Sequence, residues 1–319
     1  MKPLNVLSLF DGMQCGRIAL ERAGIQINKY YASEVDKYAI TVAQANYPDS
    51  IQLGDITKWR EWDIDWAGID LLIGGSPCQG FSFAGNQLAF EDPRSKLFFV
   101  YVEILEHIEK LNPKVNFLLE NVKMKKDYLD VISSYLIDDP IFINSALVSA
   151  HNRQRYYWAN WHVDQPEDKE ILLQSILETG YTNRDKSYAL TARYFKAGNL
   201  DRYLDKSSDQ LIFEKYAISE TCVNKFNRYG VKFISHETAK AKTLTAGDYG
   251  KLGKYGNYLE SMGSPVTYRK LTPIECERLQ TVPDNYTNHV SNTQRYKMLG
   301  NGWTVEVIAH LFEQLKLTY

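Results

Sequence analysis

The run Asn5-Val6-Leu7-Ser8-Leu9-Phe10 is apolar on both faces and passes at once into a glycine-bearing turn, Asp11-Gly12-Met13-Gln14-Cys15-Gly16. Next comes Arg17-Ile18-Ala19-Leu20-Glu21-Arg22-Ala23, helical by composition. A strand with no polar face needs cover on both sides, which helices crossing between parallel strands supply. The alternation continues to about residue 160, with further apolar runs at Tyr30-Tyr31-Ala32-Ser33, Ile69-Asp70-Leu71-Leu72-Ile73 and Phe117-Leu118-Leu119. It predicts an α/β chain with a mostly parallel sheet and helices on both faces. Such sheets bind ligands beyond the carboxyl ends of their strands, so the residues that follow each run are the candidates for function.

Those residues carry chemistry. Gly12 and Gly16 would let a ligand approach the backbone closely. Their turn is neither G-x-G-x-x-G nor a P-loop, so a nucleoside without a pyrophosphate fits better than a phosphate. Glu34 ends the second run, where a carboxylate can accept both ribose hydroxyls, and Asp55 in Leu53-Gly54-Asp55-Ile56 suits an adenine amine. After the third run, Gly75-Ser76-Pro77-Cys78-Gln79-Gly80-Phe81-Ser82 places a thiol on a strand-to-loop corner, and Glu120 in Glu120-Asn121-Val122 closes the next strand. A nucleophile and an acid at two strand ends form a catalytic pair. Arg153 and Arg155 alternate along an expected strand and should share a face. Any one of these positions alone is ordinary turn, core or edge-strand chemistry; their order, each at a strand end, makes a site.

The full series resembles the DNA (cytosine-5)-methyltransferase family. It runs Leu9-Phe10-Asp11-Gly12 with Gly16, Ser33-Glu34-Val35-Asp36, Gly54-Asp55-Ile56, Ser76 to Ser82, Glu91-Asp92-Pro93-Arg94, Glu120-Asn121-Val122 and Asn152-Arg153-Gln154-Arg155-Tyr156. It resumes at Arg269 to Arg278 and Gly300-Asn301-Gly302, so the likeness covers residues 4–165 and 266–312. The resemblance implies a Rossmann-like class I methyltransferase core with one antiparallel strand, formed by residues 1–165 plus 266–319, and a smaller target-recognition domain at 166–265. It implies S-adenosylmethionine as cofactor, with Phe10 packing on it, the Asp11-Gly12 backbone at its amino-acid end and Glu34 at the ribose. Val35 and Ile56 would sandwich the adenine, Asp55 would accept from its amine, and Pro77, Leu97, Asn301 and Trp303 would complete the pocket. Cys78 would be the covalent nucleophile and Glu120 the acid, with Arg153 and Arg155 holding the base carbonyl and a phosphate or Glu120. The target cytosine would be flipped out of the duplex and covered by the loop from Gly80 to Pro93, with Ser82 and Arg94 at the nucleic acid. Thr243-Leu244 matches the family's mark for target recognition. Two departures stand out: Met13-Gln14-Cys15 replaces a glycine-rich turn, and Val35 stands where many bacterial members have Trp.

Charge agrees once its distribution is considered. The whole chain carries −2, but residues 181–270 hold 16 Lys+Arg against 9 Asp+Glu, a local +7, together with 10 of the 22 tyrosines. That segment is where a polyanion should sit, so double-stranded DNA is the expected partner. Four cysteines without C-x-x-C, scattered histidines and no apolar run of membrane length predict a reducing compartment, no metal and no membrane. Met1-Lys2-Pro3 leads directly into a strand, so no signal peptide and a cytoplasmic protein are expected, and for a member of the family it resembles the compact length suggests a bacterial or phage-encoded protein. A monomeric state and a cognate restriction endonuclease complete the expectation. Two rivals remain: an RNA cytosine-5 methyltransferase of the same fold, against which Gly80-Phe81-Ser82 speaks, and a non-catalytic DNA-binding regulator, which should lack Cys78, Glu120 or a cofactor acid.

Overall fold

The computed structural model describes residues 2–77, 96–136, 139–182, 184–199, 203, 210–215 and 267–317. Cys78, Ser82, Arg94, Thr243 and Leu244 lie outside these residues, as do the Gly80–Pro93 loop and most of the basic segment.

The first half alternates as expected: β1 (Leu4–Leu9), α1 (Cys15–Arg22), β2 (Ile27–Ser33), α2 (Lys37–Asn46), β3 (Ile51–Gln52) and β4 (Leu71–Gly74). Then follow α3 (Lys96–Leu111), β5 (Asn116–Val122), α4 (Lys126–Leu136), β6 (Ile141–Asn144), β7 (His151–Asn152) and β8 (Gln154–Ala159). Short strands β9 (Ser187–Tyr188), β10 (Leu211–Lys215) and β11 (Thr267–Lys270) precede α5 (Pro273–Leu279), α6 (Asn292–Asn301) and α7 (Val305–Leu317).

Seven strands form the main sheet in the order β3-β2-β1-β4-β5-β8-β6. β1 pairs in parallel with β2 and β4, and β4 with β5, while β8 runs antiparallel to both β5 and β6. Among the described residues β8 is thus the single reversed strand of this sheet, as the family resemblance implied. Chain order reverses between β1 and β4, which opens a crevice at their carboxyl ends.

The period-2 side-chain alternation divides the core into two layers. Val6, Ile73, Leu118 and Tyr157 face α1 and α7, while Leu7, Leu72, Leu119 and Trp158 face α3 and α4. Helix α3 buries Phe98, Tyr101, Val102, Leu105 and Ile108, an i, i+3, i+4, i+7 stripe in which each large apolar side chain contributes about 1.5–3 kcal/mol. Helix α5 starts at the expected N-cap: Thr272 accepts from the Glu275 N–H, Pro273 sits in the first turn, and Glu275 closes a capping box. The described parts of residues 166–215 do not stand apart from this core, because Leu173, Leu190, Tyr194 and Ile212 join the same buried cluster as Leu4 and Val305.

Candidate active site

A cavity of about 540 Å³ opens at the carboxyl ends of β1, β2, β4 and β5, within the range of a small-molecule site. Its wall contains Phe10, Asp11, Gly12, Glu34, Val35, Asp55, Ile56, Pro77, Leu97, Glu120, Arg153, Arg155, Asn301 and Trp303. All the described candidates therefore meet in one place, except Gly16.

Gly16 is a correction. A Cβ there would lie 2.6 Å from Ile73 Cδ1 and 3.3 Å from Trp303 Cζ3, so its missing side chain makes room for packing of α1 on the sheet, not for a ligand. The close approach belongs to the turn before it, where Phe10, Gly12 and Gln14 have φ of 57°, 58° and 67°. Two of these three are not glycine, a strained local fold of the kind that clusters at functional sites.

In the Asp11-Gly12 turn both amide N–H groups are engaged, Asp11 N–H with the Ser33 carbonyl and Gly12 N–H with Glu34 Oε2 at 2.8 Å. The Asp11 side chain offers more. Tyr30 donates to its Oδ1 at 2.7 Å, whereas Oδ2 is buried with no hydrogen-bond partner. Burial pushes this carboxyl up to about 7, outweighing the nearby Ser8 and Tyr30 hydroxyls, and the Glu34 charge adds to the rise. Glu34 Oε1 accepts from the N–H groups of Val35 and Asp36, which fixes the carboxylate at the start of α2. The exposed Asp55 accepts from the Thr57 N–H and hydroxyl, which hold it below its ordinary range. Val35 is 70% exposed at the mouth and Ile56 is buried, two apolar surfaces available to a flat ring.

Across the cavity, Glu120 shares the sheet face of Leu118 and is 8% exposed. Arg155 stands two positions from its cross-strand neighbour, since Glu120 pairs with Tyr157 and Val122 with Arg155, a diagonal that a long side chain spans. Its Nε lies 2.7 Å from Glu120 Oε1 as an ion pair whose N–H is off the hydrogen-bond line, and its Nη1 donates to the Gln154 carbonyl. Trp303 donates from Nε1 to Glu120 Oε2 at 3.1 Å.

Arg153 departs from the expected alternation. It lies in the break between β7 and β8, almost fully buried, and its guanidinium donates to the carbonyls of Leu190, Gly300 and Gly302. Through these carbonyls it clamps the cavity wall, whereas Arg155 pairs with Glu120.

Several lining residues escaped the sequence reading. Gly75 has the clearest signal, being next to Ser76-Pro77: a Cβ there would fall 2.9 Å from Trp303 Nε1 and 3.0 Å from Glu120 Oε2. Lys297 has none, since it pairs at 2.7 Å with Asp36 across 261 positions; burial pushes that carboxyl up, but Lys297 and the Tyr38 N–H hold it below its ordinary range. Buried Cys15, with its thiol pushed up to about 12 by burial, also reaches the wall. Among the described residues, no group of three or more His, Cys, Asp or Glu is placed to hold a metal, and no helix is long and apolar enough to cross a membrane.

A crevice at the sheet's switch point, ringed by carboxylates, defines a Rossmann-like methyltransferase core. The structure is similar to the Entamoeba histolytica methyltransferase EhMeth, with a TM-score of 0.67 and 18% identity covering 100% of this chain and 99% of that one. The sequence matches the C-5 cytosine-specific DNA methylase family over residues 4–317, and the chain belongs to that family. It is 30% identical to the Type II methyltransferase M.NlaX of Neisseria lactamica, covering 98% of this chain and 96% of the relative. It is 28% identical to M.HhaI of Haemophilus parahaemolyticus, covering 97% and 93%. The protein is thus a DNA cytosine-5 methyltransferase, with S-adenosylmethionine as its cofactor. The residues present fit that cofactor: a buried, partnerless carboxylate oxygen for its ammonium group, two strand-end carboxylates for its hydroxyls and amine, and apolar surfaces for its ring.

Proposed function

We propose that this chain methylates carbon 5 of a flipped-out cytosine at a specific short sequence in double-stranded DNA, through a covalent adduct of Cys78. The observation that carries the reading is the pairing of Glu120 with Arg155 in the same cavity as Glu34 and Asp55, with Pro77, the residue before Cys78, in its wall.

Glu34 holds the ribose hydroxyls, Asp55 accepts from the adenine amine, and Val35 and Ile56 bracket the ring. The Asp11 carboxylate takes the ammonium group, beside the Asp11-Gly12 backbone expected at the amino-acid end. When bound, the cofactor supplies an electrophilic, sulfonium-bound methyl group. Carbon 5 of cytosine is a poor nucleophile until a thiolate adds at carbon 6. Cys78 provides that thiolate, and Glu120 shares a proton with ring nitrogen 3, neutralising the charge that develops on the ring. Arg155 and Trp303 hold Glu120 while this happens. Once carbon 5 has taken the methyl group, it gives its proton to water, and the pair left behind forms the 5,6 double bond as Cys78 leaves as thiolate, which restores the aromatic ring. A stacked base does not expose carbon 6, so flipping is part of the cycle. Residues 166–265 provide target recognition, with the basic segment on the phosphates and Thr243-Leu244 in the reading surface. The Type II relatives support a sequence-specific site.

An oligonucleotide carrying 5-fluorocytosine tests the chemistry, because fluorine cannot leave as the proton does. The wild type should be trapped in a denaturation-resistant complex, while Cys78→Ala should bind DNA, form no such complex and transfer no methyl group. Appreciable turnover by Cys78→Ala would overturn the mechanism.

A further inference from the structure

The loop between α6 and α7 is pinned on both sides of Trp303. The Gly302 carbonyl accepts from Arg153 Nη2 at 2.9 Å and from Gln280 Nε2 at 3.1 Å. The hydroxyl of Thr304 donates to Gln280 Oε1 at 2.9 Å, and the Ser145 hydroxyl and His151 Nε2 lie 2.9 Å and 3.1 Å from it. A backbone fixed at both neighbours leaves the Trp303 ring little freedom. Space has also been left for that ring on two sides, since a Cβ at Gly16 would meet its Cζ3 and a Cβ at Gly75 would meet its Nε1. The indole N–H then reaches Glu120 Oε2.

We infer that Trp303 is a positioning residue for Glu120, and that its indole N–H and Arg155 together fix the carboxyl plane presented to the base. This assignment rests on the proposed role of Glu120 and goes beyond a cofactor wall, which needs only the ring's surface. A carboxylate held at one oxygen can still rotate about its last torsion, a broad two-fold well. Held at both oxygens, it is preorganised, and preorganisation is what a proton-sharing group needs at the moment of addition. Arg153 belongs to the same assembly one step further out, since it holds the carbonyl of the residue preceding Trp303.

The test separates the N–H from the ring. Trp303 is replaced by β-(3-benzothienyl)alanine, which keeps the bicyclic shape with sulfur in place of the N–H, and separately by Phe. The benzothienyl variant should lose about 10- to 100-fold in kcat and in the rate of 5-fluorocytosine trapping, while the dissociation constant for S-adenosylmethionine stays within about threefold of wild type. Gly75→Ala, which presses a methyl group against both Nε1 and Oε2 and so forces them to shift, should show the same loss of trapping rate, and it carries the test if the Trp303 variants fail to fold. In a Glu120→Gln background, the benzothienyl replacement should add little further loss, because a residue acting through Glu120 has nothing left to position. Weaker cofactor binding with kcat and trapping unchanged would reduce Trp303 to a pocket wall and overturn the inference. If instead Glu120→Gln by itself trapped 5-fluorocytosine at the wild-type rate, the role of Glu120 would fail, a result distinguishable from failure of the Trp303 assignment.

Discussion

Two buried carboxyls stand at opposite ends of one cavity, Asp11 after β1 and Glu120 on β5, and the protein treats them differently. Glu120 has a guanidinium on one oxygen and an indole N–H on the other. Asp11 has a tyrosine hydroxyl on one oxygen and nothing on the second. Burying a charge is costly, so burial lifts the Asp11 carboxyl to about 7, and the nearby Glu34 charge adds to the rise. At one end the chain itself pairs both carboxylate oxygens, and at the other it pairs one. An acid that acts on the base must be held in place before the base arrives, whereas an acceptor for a cationic cofactor group gains its counter-ion from the ligand itself.

The largest effect should come from the completed end. Glu120→Gln preserves shape and removes the proton-sharing acid, so single-turnover methyl transfer should fall by about 10²- to 10⁴-fold. Cofactor affinity, measured by calorimetry, should change by less than about threefold. Equal losses of rate and cofactor affinity would mean that Glu120 serves both ends and would erase the contrast.

Arg155→Met comes next. It leaves Glu120 buried beside a neutral neighbour, and breaking a buried pair from one side costs about 3–5 kcal/mol. Chemical denaturation should show a loss near the lower figure, since the Arg155 and Glu120 side chains retain 16% and 11% exposure. Combining it with Glu120→Gln should recover most of that loss. If the double variant were as unstable as Arg155→Met alone, Arg155 would matter for packing, not for charge.

Much of this arrangement is legible in the sequence because strand ends and period-2 faces are local properties. Glu34 and Glu120 needed only an apolar run with an acid at its end, Asp55 stood out in Leu53-Gly54-Asp55-Ile56, and Glu120 was one of the contacts that the expected shared face left open to the arginines. What was not legible depends on contacts distant in sequence. Arg153 was expected to repeat the Arg155 geometry, but a break in the strand at that residue sends its guanidinium to carbonyls near residues 190 and 300. Gly16 reads as a ligand-facing glycine until Ile73 and Trp303 are seen to fill its space. The Asp36–Lys297 pair leaves no trace in either local pattern. Residues 166–199 read as part of the target-recognition region because they follow the first block of family motifs, yet their apolar residues Leu173, Leu190 and Tyr194 join the same buried cluster as Leu4 and Val305.

Asp11→Asn addresses the incomplete end and should have a moderate effect. In the folded protein the carboxyl moves from its ordinary 3.8 to about 7, so between those values the folded state binds more protons than the unfolded state. Without cofactor, stability contributed by this group should therefore fall as pH rises from about 4 to 7 and level off above, a slope that Asp11→Asn should remove. Cofactor affinity should follow the opposite course in the wild type, rising through pH 7 as the carboxylate becomes available to an ammonium group, with proton release on binding below that pH. At pH 8 the variant should bind about 10- to 100-fold more weakly, as for a lost charge-assisted hydrogen bond. A wild-type affinity that stayed flat between pH 6 and 8 would mean that Asp11 does not meet the cationic group.

The smallest effect should come from Gly16→Ala, and it asks whether the two ends of the cavity are mechanically joined. The added methyl group would press on Ile73 Cδ1 from the helix that follows the Asp11 turn, and on the Trp303 ring that reaches Glu120. Overpacking of this kind costs about 1–3 kcal/mol, and the flexible end of Ile73 should keep it near the lower limit. Ile73→Val, which removes the contacted methyl group, should restore most of that stability in the double variant. The informative readout is function after stability has been restored. If the rescued protein regains cofactor affinity but keeps a slowed 5-fluorocytosine trapping rate, the strain still travels through Trp303 to Glu120, and the ends are coupled by that ring. If both recover together, Gly16 is a packing glycine alone, and the cofactor turn and the Glu120 assembly act as independent halves of one cavity.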